Sequence, residues 1–494
     1  MINPNLIIPP NDLLLRIWNG NSFPQVVNAM GQKEKLHSLK FQQIRNSSDL
    51  IKGSPVNQQA RRFVLELLEA AFVAANPSQM VCNALQVKGS QLRFFNHQID
   101  LDAIDGIYLV GAGKATGRMA EAAEEILGNY ITDGIIIVPP NTTEEYTLNC
   151  VQIREGGHPL PTHSSVSATK QIITLIKNSP KDALIISLFS GGGSTLFTLP
   201  STTITIKDLQ HTTTLLLRSG VPIDGINTLR KHLSQVKGGQ FALQVHPRHH
   251  WILLISDVPG DQLDIIASGP TLPDPTTYQA ASKILAEYQL WEKISQRVRK
   301  HIQSGLDGTV QETPKADHPF FERAVNRLIG SNHDACNAAL KLAQQKGFKA
   351  RILTTDCQGE ARQVGEQLGA FAQRMISEED SQVVIVGSET TVTLRHPGKG
   401  GRNTELITAT IPFIQNHEGL VIASLATDGI DGSTQYAGAI ADSDSYTRAH
   451  SMNIQPEELL NQNDTFKVFQ ALNDHIETGP THTNVRDITI ILHF

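Results

Sequence analysis

Short apolar runs alternate with glycine-rich turns along most of this chain. Residues 59–75 place apolar side chains at helical spacing with few helix breakers, which predicts a helix. Further apolar runs predict buried strands at residues 107–110, 134–138, 183–187 and 251–256. A glycine-rich loop and a helix over 119–126 follow the first of these runs. This repetition of strand, loop and helix is typical of an α/β domain with a parallel sheet.

The polar stretch 305–322, which contains proline and glycine, predicts a domain boundary. Beyond it the alternation resumes, with a helix predicted over 334–345 and strands predicted at 324–329, 350–355, 383–386, 420–426 and 488–493. Residues 1–55 show only weak periodicity. We therefore expect an N-terminal extension over 1–55, an N-terminal α/β domain over 56–304 and a C-terminal α/β domain over 322–494, with a ligand cleft between the domains.

The net charge narrows the set of expected partners. The 494 residues carry 42 basic and 48 acidic side chains, a balance of −6 that argues against nucleic acid or an anionic membrane as the main partner. No apolar run reaches the roughly 18–20 residues of a membrane span. The N-terminus lacks the pattern of a secretory signal. The four cysteines have no CxxC pair, which suits reduced thiols in the cytoplasm.

The loop Gly111-Ala-Gly-Lys-Ala-Thr-Gly117 follows a predicted strand and opens a predicted helix. Backbone N–H groups at such a junction favour a phosphate, and Lys114 suits its neutralisation, so Gly111 and Gly113 are phosphate-binding candidates. The GxGxxxG spacing also resembles a dinucleotide fingerprint. That fingerprint needs an acidic residue where the next predicted strand ends in Val138-Pro-Pro. A helix-packing turn with a solvent-facing lysine is the remaining alternative.

A second glycine-rich loop follows the predicted strand 183–187, and a basic helix follows later in the chain. Consecutive glycines expose N–H groups to an anion, and flanking serines add hydroxyls. The stretch 227–239 concentrates basic side chains on one or two helical turns, which either bind an acidic substrate or form a solvated face. The substrate- and phosphate-binding candidates from these segments are Ser190, Gly191, Gly192, Gly193, Ser194, Arg230, Lys231, His232 and Lys237.

Two segments place paired carboxylates directly after predicted strands. Asp257 and Asp261 are positioned for Mg²⁺ binding or for a general base, and alternatively for an Asx-turn or a helix cap. Asp428 and Asp431 follow the predicted strand 420–426 and are typical of a metal loop, without the ligand spacing of an EF-hand.

The glycine-rich loop 398–405 carries Arg402, whose rigid fork of donors suits a transferring phosphoryl group. The segments 387–391 and 478–484 add glycines and hydroxyls before and after it. Each segment taken alone also fits an ordinary turn. The nucleotide-binding candidates in this half of the chain are Glu389, Lys399, Gly401, Asn403, Thr478, Thr481 and Asn484.

Together these motifs resemble those of the type II glycerate 2-kinases, including their C-terminal MOFRL domain. The resemblance runs from about residue 58 to the end of the chain. Its segments are GAGKATGRMA (111–120), GGHPLP (156–161), FSGGGST (189–195), INTLRKHLSQVKGG (226–239), ISDVPGDQLDIIASGPTLPDPTT (255–277), GSETTVTLRHPGKGGRNTELI (387–407), ATDGIDGST (426–434), AGAI (437–440) and TGPTHTNVRDI (478–488).

The resemblance implies two Rossmann-like, three-layer α/β domains with mostly parallel sheets and an active site in the cleft between them. It also implies ATP-dependent phosphorylation of D-glycerate at the 2-hydroxyl, with Mg²⁺ or another divalent cation. Lys114 and Arg402 would be the catalytic cations, and Asp257 or Asp261 would act on the substrate hydroxyl. The metal candidates are Asp257, Asp428 and Asp431.

Two other functions are compatible with parts of the pattern. An NAD(P)-dependent hydroxypyruvate reductase would use the GxGxxxG loop, and a non-catalytic sugar-phosphate-binding protein would use the serine- and glycine-rich loops. The paired carboxylates and the Arg402 loop are unnecessary for binding alone. The expected partner is a small-molecule substrate, and a homodimer is left open.

Overall fold

The structure, a computed structural model, describes residues 41–376 and 381–494. The described chain forms two compact units. The parallel-sheet unit comprises residues 74–334 and 481–486. The mixed-sheet unit comprises the described residues up to Val73 together with 335–480 and 487–494. Within the described residues, no helix combines the length and apolarity needed to cross a membrane.

The elements are named in chain order. The strands are β1 Leu85–Lys88, β2 Gln91–Phe94, β3 His97–Asp100, β4 Ile107–Ala112, β5 Ile131–Val138, β6 Val151–Glu155, β7 Leu184–Phe189, β8 His249–Ile255, β9 Ala324–Gly330, β10 Lys349–Glu360, β11 Gln382–Thr391, β12 Leu420–Ala426, β13 Gly438–Asp442, β14 His475–Ile476 and β15 Asp487–His493. The helices are α1 Ser47–Leu50, α2 Pro55–Ala74, α3 Pro77–Ala84, α4 Thr116–Leu127, α5 His163–Asn178, α6 Gly193–Leu196, α7 Ile206–Arg218, α8 Ile223–His232, α9 Gln240–Val245, α10 Tyr278–Glu287, α11 Gln296–Leu306, α12 Asn332–Gln345, α13 Ala361–Met375, α14 Arg402–Ile414, α15 Ser445–Ser451, α16 Pro456–Asn461 and α17 Phe466–Leu472.

The parallel-sheet unit is built on a six-stranded sheet with the order β6-β5-β4-β7-β8-β9. Every neighbouring pair in it is parallel. All residues of β7 are buried, as expected for a central strand covered by helices on both faces. The order reverses between β4 and β7, and ligands of such sheets bind outside the carboxyl ends of the strands at that point. The two glycine-rich loops of this unit follow β4 and β7.

The mixed-sheet unit contains a six-stranded sheet with the order β10-β11-β15-β12-β13-β14. Only β10 and β11 pair in parallel, and the other neighbours are antiparallel. The α/β class is confirmed, and the mostly parallel arrangement holds for the first sheet but not for this one. The difference arises because β15, the last strand, lies antiparallel between β11 and β12.

The segments expected to be strands and helices in the described chain form those elements, with bounds that differ by a few residues. The strand that begins at Ala324 was expected to open the C-terminal domain. In the structure it pairs in parallel with β8 and forms the edge of the first sheet. Sequence periodicity identifies a strand but not its pairing partner, so the two predicted domain ranges stay predictions.

Helix α2 groups with the C-terminal part of the chain through a buried ion network. The guanidinium of Arg61, fully buried, donates to Asp442 at 2.5 Å and to Asp474 at 2.8 Å. Arg448 adds a 2.8 Å pair to Asp474. Burial alone would raise the pKa of Asp474, but Arg61 and Arg448 hold it below its ordinary value. Part of the predicted extension joins this unit, since Ile44 and Leu50 are buried.

We expect Arg61→Ala to lower the free energy of unfolding by about 3–5 kcal/mol, because it leaves two buried carboxylates without their main partner. Urea unfolding followed by circular dichroism measures the change. The neighbouring, exposed Arg62→Ala is the matched control and should change stability by no more than about 0.5 kcal/mol. Equal effects of the two substitutions would contradict the role given to the network.

Candidate active site

The loops after β4 and β7 are locked together at the switch point of the parallel sheet. The backbone N–H of Lys114 donates to Gly191 O at 2.8 Å, and that of Ala115 donates to Ser190 Oγ at 3.0 Å. A Cβ on Gly113 would lie 2.0 Å from Ser190 Oγ, and one on Gly111 would lie 2.2 Å from Leu188 O. These two glycines therefore permit a backbone approach that any other residue would block.

The second loop is lined by side chains from three other segments. A Cβ on Gly191 would lie 2.3 Å from Asp257 Oδ2, and a Cβ on Gly192 would lie 3.1 Å from His158 Cδ2 and 3.5 Å from Lys114 Cγ. The missing side chains of these glycines thus leave the space in which Asp257, His158 and Lys114 converge. The structure brings together the candidates Lys114, Asp257 and this loop.

Burial raises the pKa of Asp257, while the nearby charges of Lys114 and Arg486 act to lower it. A carboxyl in this position is easier to protonate than an exposed one, which suits an exchange of protons with a ligand hydroxyl. Burial and the charge of Lys114 lower the pKa of His158, which favours a neutral imidazole beside the cation.

Asp261 lies in the same loop as Asp257 and adopts a left-handed backbone with φ of 50°. Its Oδ1 is buried without a hydrogen-bond partner and lies 3.9 Å from Nη2 of Arg486. Arg486 is fully buried and also has a left-handed φ, of 72°. Strained backbone of this kind concentrates at functional sites.

His158 and Arg486 were not among the sequence candidates, although both lie in segments that carried the resemblance. His158 follows β6 and Arg486 precedes β15, so the sequence gives no spacing that links them to Lys114. The available signal was their position after or before a strand in a glycine- and hydroxyl-rich segment.

Two basic side chains of the stretch around α8, Lys231 and His232, pair with carboxylates of the protein itself. Lys231 pairs with Asp264 at 3.2 Å and with Asp274 at 3.4 Å, and His232 Nε2 pairs with Glu312 Oε1 at 2.7 Å. Both side chains are buried, so these contacts hold neighbouring loops against the helix. The contacts argue against the expectation that Lys231 and His232 bind substrate directly.

Arg230 and Lys237 are better placed to bind an anion. Burial alone lowers the pKa of Arg230, without a shift from any carboxylate. Burial and the charge of Arg230 lower the pKa of Lys237 to about 7, and its Nζ donates to Phe197 O at 3.0 Å. Two neighbouring cations in a low-dielectric environment gain most from an anionic partner.

Serine hydroxyls connect this basic helix to the glycine-rich loop. Ser194 Oγ lies 3.0 Å from Ser268 Oγ, and Ser268 Oγ donates to Asn227 Oδ1 at 3.2 Å. Asn227 lies one helical turn before Arg230 on α8. The serine loop and the Arg230 end of the helix therefore belong to one site in the parallel-sheet unit.

In the mixed-sheet unit, carboxylates surround Arg402, the first residue of α14. Its Nε and Nη2 form a bidentate pair with Asp487 at 2.5 and 2.8 Å, and its Nη1 donates to Glu389 at 2.5 Å. Burial acts to lower the pKa of Arg402, but Asp487, Glu389 and Asp428 raise it above its ordinary value. Burial raises the pKa of Asp487, and Arg402 opposes that shift. Asp487 was not among the sequence candidates.

Asp431 has a different role from the one expected of a metal ligand. Its Oδ1 accepts from the backbone N–H of Asn403 at 2.9 Å and from Asn403 Nδ2 at 3.2 Å. Its Oδ2 accepts from the backbone N–H and the hydroxyl of Thr404, both at 2.9 Å. The carboxylate therefore satisfies N–H groups at the start of α14. These four hydrogen bonds argue against metal binding by Asp431.

Each of the remaining candidates in the C-terminal half lies in a different local environment. A Cβ on Gly401 would lie 2.4 Å from the Asp431 side chain, so Gly401 makes room for that carboxylate. The Lys399 ammonium lies 4.7 Å from the centre of the Phe466 ring. Thr478 is buried and lies against Gly429. Asn484 Oδ1 accepts from the backbone N–H of Arg486 at 3.1 Å, and Thr481 belongs with it to the parallel-sheet unit.

Comparison with known proteins assigns families to both parts of the chain. Residues 63–303 match a domain of unknown function, DUF4147, and residues 382–487 match the MOFRL family. A glycerate 2-kinase of Pyrococcus horikoshii is 38% identical over 437 residues, which cover 87% of this chain and 97% of that protein. A putative hydroxypyruvate reductase of Agrobacterium vitis is 34% identical, with 88% of this chain and 94% of the relative covered.

Solved structures give the same assignment. The crystal structure of a glycerate kinase from Thermotoga maritima superposes with a TM-score of 0.78 at 34% identity, covering 88% of this chain and 99% of that one. The sequence motifs, the loops at the switch point and these relatives agree. The chain belongs to the glycerate kinase family that carries a C-terminal MOFRL domain.

Proposed function

We propose that this chain transfers the γ-phosphoryl group of ATP to the 2-hydroxyl of D-glycerate, giving 2-phosphoglycerate. The observation that carries the proposal is the meeting of Lys114 and Asp257 on the glycine-rich loop after β7. A kinase needs a cation for the transferring phosphoryl group and a carboxylate for the acceptor hydroxyl. The glycerate kinases among the relatives support the same reaction.

The parallel-sheet unit supplies the donors for the anionic groups of the reactants. The Lys114 ammonium, carried by the first of the two interlocked loops, binds the phosphoryl oxygens, where charge is concentrated in the transition state. The Arg230 guanidinium binds the glycerate carboxylate in a planar, bidentate geometry, with Lys237 adding charge behind it. The neutral imidazole of His158 orients a phosphoryl oxygen next to Lys114.

Asp257 orients and deprotonates the substrate hydroxyl. Its raised pKa brings the carboxylate closer to the operating pH, where a general base is most effective. Asp261 steadies the loop and Arg486, whose charge lies close to Asp257. In the mixed-sheet unit, Arg402 contributes a second cation, held in place by Asp487 and Glu389.

The residues present are compatible with Mg²⁺ that arrives with the nucleotide. In the described part of the chain, no group of three or more His, Cys, Asp or Glu side chains is arranged to hold a metal ion by itself. Mg²⁺ usually takes one or two protein carboxylates and completes its shell with phosphate and water oxygens. Asp257 would hold such an ion at the glycine-rich loop, and the ion would neutralise charge on the phosphates. Metal binding by Asp428 stays a prediction for the mixed-sheet unit.

The reductase alternative has weaker support. The dinucleotide fingerprint requires an acidic residue at the end of the second strand of the parallel series, where it binds a ribose hydroxyl. That strand, β5, ends at Val138, and two prolines follow it. The loop after β4 therefore lacks the partner that a nicotinamide dinucleotide needs, although one relative is named a putative hydroxypyruvate reductase.

We place the enzyme in the cytoplasm because its four cysteines are free thiols. A homodimer remains a prediction, as does nucleotide binding by Glu389, Lys399, Gly401, Asn403, Thr478, Thr481 and Asn484.

The function is tested by an assay that couples ADP release to a spectrophotometric signal, with D-glycerate as substrate and MgCl₂ present. We expect D-glycerate-dependent ADP release and a product that enolase consumes directly, which distinguishes 2-phosphoglycerate from the 3-phosphate. NADH oxidation with hydroxypyruvate is measured in parallel. Reduction of hydroxypyruvate without any glycerate-dependent ADP release would overturn the proposal.

Removal of either proposed catalytic cation should slow phosphoryl transfer. We expect Lys114→Ala and Arg402→Ala each to lower kcat on the order of 10²–10³-fold, since each removes charge stabilisation from the transition state. Lys170→Ala and Arg62→Ala, at exposed positions, are the matched controls and should keep kcat within about twofold. Near-normal kcat in both cation variants, with folding verified by circular dichroism, would disprove the assignment.

The raised pKa of Asp257 predicts the acid limb of the pH profile. Because the folded carboxyl has a pKa above its ordinary value of about 4, its base form is lost at a higher pH than in an exposed aspartate. We therefore expect kcat/KM to fall as pH decreases through a midpoint above about 4. Asp257→Asn should remove most activity, whereas His158→Gln should keep the midpoint. If the midpoint of the acid limb shifts in His158→Gln, the limb reports the titration of His158 and not that of Asp257.

A further inference from the structure

A cavity of about 460 Å³ opens beside Asp261 in the parallel-sheet unit. It lies between α3, the turn after β2, the carboxyl end of β9 and the first turn of α12. The volume falls within the range of small-molecule sites. The lining residues are Met80, Asn83, Ala84, Phe95, Asp261, Leu328, Ile329, Ser331, His333 and Asp334.

Apolar side chains form part of the cavity lining, and Phe95 adds an aromatic ring. Met80 is buried and reaches the wall because residue 330 is glycine, where a Cβ would lie 2.1 Å from the Met80 sulfur. Phe95 remains 46% exposed, and its ring packs edge-on against Phe94 with centroids 5.3 Å apart. An exposed aromatic ring held by a second ring is a suitable surface for a flat heterocycle.

The two carboxylates of the lining disfavour an anion and offer acceptors to the hydroxyl groups of a ligand. Two carboxylates, Asp261 and Asp334, line the cavity, and neither lysine nor arginine is among the lining residues. Asp334 Oδ2 already accepts from Ser331 Oγ at 2.9 Å, which fixes the carboxylate at the rim. Glycerate and phosphate would be repelled here, whereas the hydroxyls of a ribose would find acceptors.

The side-chain amide of Asn83 also lines the cavity. Asn83 is exposed at the rim, and its Oδ1 accepts from Gln79 Nε2 at 3.1 Å. This contact orients the side-chain nitrogen as a donor. An asparagine amide pairs well with the edge of an adenine ring, as its frequent use in adenine recognition shows.

Asp261 connects the cavity to the phosphoryl-transfer cluster. It lines the cavity and stands in the same loop as Asp257, four residues on, and it lies 3.9 Å from the guanidinium of Arg486. A ligand in the cavity thus has one end close to the cations around Asp257.

We propose that this cavity binds the adenine and ribose of ATP, with the base against Phe95 and Met80, the amide of Asn83 at the edge of the base and the ribose near Asp334. The inference rests on the proposed kinase function for the identity of the nucleotide. It places nucleoside recognition on residues around α3 and β9 that carry no sequence motif.

Calorimetric titration with adenosine, which lacks phosphates, tests the cavity without turnover. We expect the wild-type chain to bind adenosine and Phe95→Ala and Asn83→Ala each to weaken binding on the order of fivefold, from loss of ring stacking or of one hydrogen bond. Tyr130→Ala and Asn178→Ala, exposed in the same unit, are the matched controls. In kinetics, the same two cavity variants should raise KM for ATP by a similar factor while KM for glycerate and kcat stay within about twofold.

The possible outcomes test the nucleoside site separately from the proposed kinase reaction. Adenosine binding that the two variants leave unchanged, or a variant effect on KM for glycerate in place of ATP, would overturn the nucleoside site and leave the kinase proposal intact. Adenosine binding that depends on Phe95 and Asn83, in a chain that releases no ADP with glycerate, would support the site and reject the proposed substrate.

Discussion

The close approach of the loops after β4 and β7 is the constraint on which the site depends. Ser190 Oγ lies where a side chain at position 113 would begin, and its hydroxyl accepts the N–H of Ala115. This contact fixes the direction in which Lys114 leaves the backbone. The glycines at 191 and 192 then leave space that Asp257 and His158 occupy. Glycine in these loops therefore serves two purposes, since it permits the close approach of the two backbones and makes room for reactive side chains from other segments.

The two units differ in how their buried cationic groups are paired. In the parallel-sheet unit, burial lowers the pKa of Arg230 and Lys237, so an anionic partner would stabilise their charged forms. In the mixed-sheet unit, the main cation and a helix start are already neutralised, by Asp487 at Arg402 and by Asp431 at α14. A phosphate near α14 would therefore have to compete with resident carboxylates.

The local sequence pattern was sufficient to predict the strands, the helices and the glycine-rich loops, because each of these depends on residues adjacent in sequence. The pairing of strands was less accessible. The place of β15 between β11 and β12, and of β9 at the edge of the first sheet, depends on contacts between segments far apart in the chain. The mostly parallel order that the resemblance implied for both domains fails in the second sheet, where β15 pairs antiparallel with both of its neighbours.

The same reason explains which of the predicted site residues lie together in the structure. Lys114 and Asp257 follow strands directly, so the carboxyl edge of the sheet brings them together. Lys231, His232 and Asp431 have the residue types of a binding site, but their partners Asp274, Glu312 and Thr404 give them internal contacts. No spacing in the sequence reveals such pairs. His158, Arg486 and Asp487 were missed for the converse reason, since only folding brings them to the charged groups they accompany.

The burial of Arg61 has a consequence for the order in which the protein takes shape during synthesis. Arg61 of helix α2 is synthesised 381 residues before Asp442 and 413 residues before Asp474. The parallel sheet, from β4 to β9, can assemble as it emerges, while α2 must wait with an arginine that has no buried partner. A nascent chain halted before Asp442 would therefore hold the Arg61 guanidinium without either carboxylate, and the synthesis of Asp474 sets the moment from which the network can form.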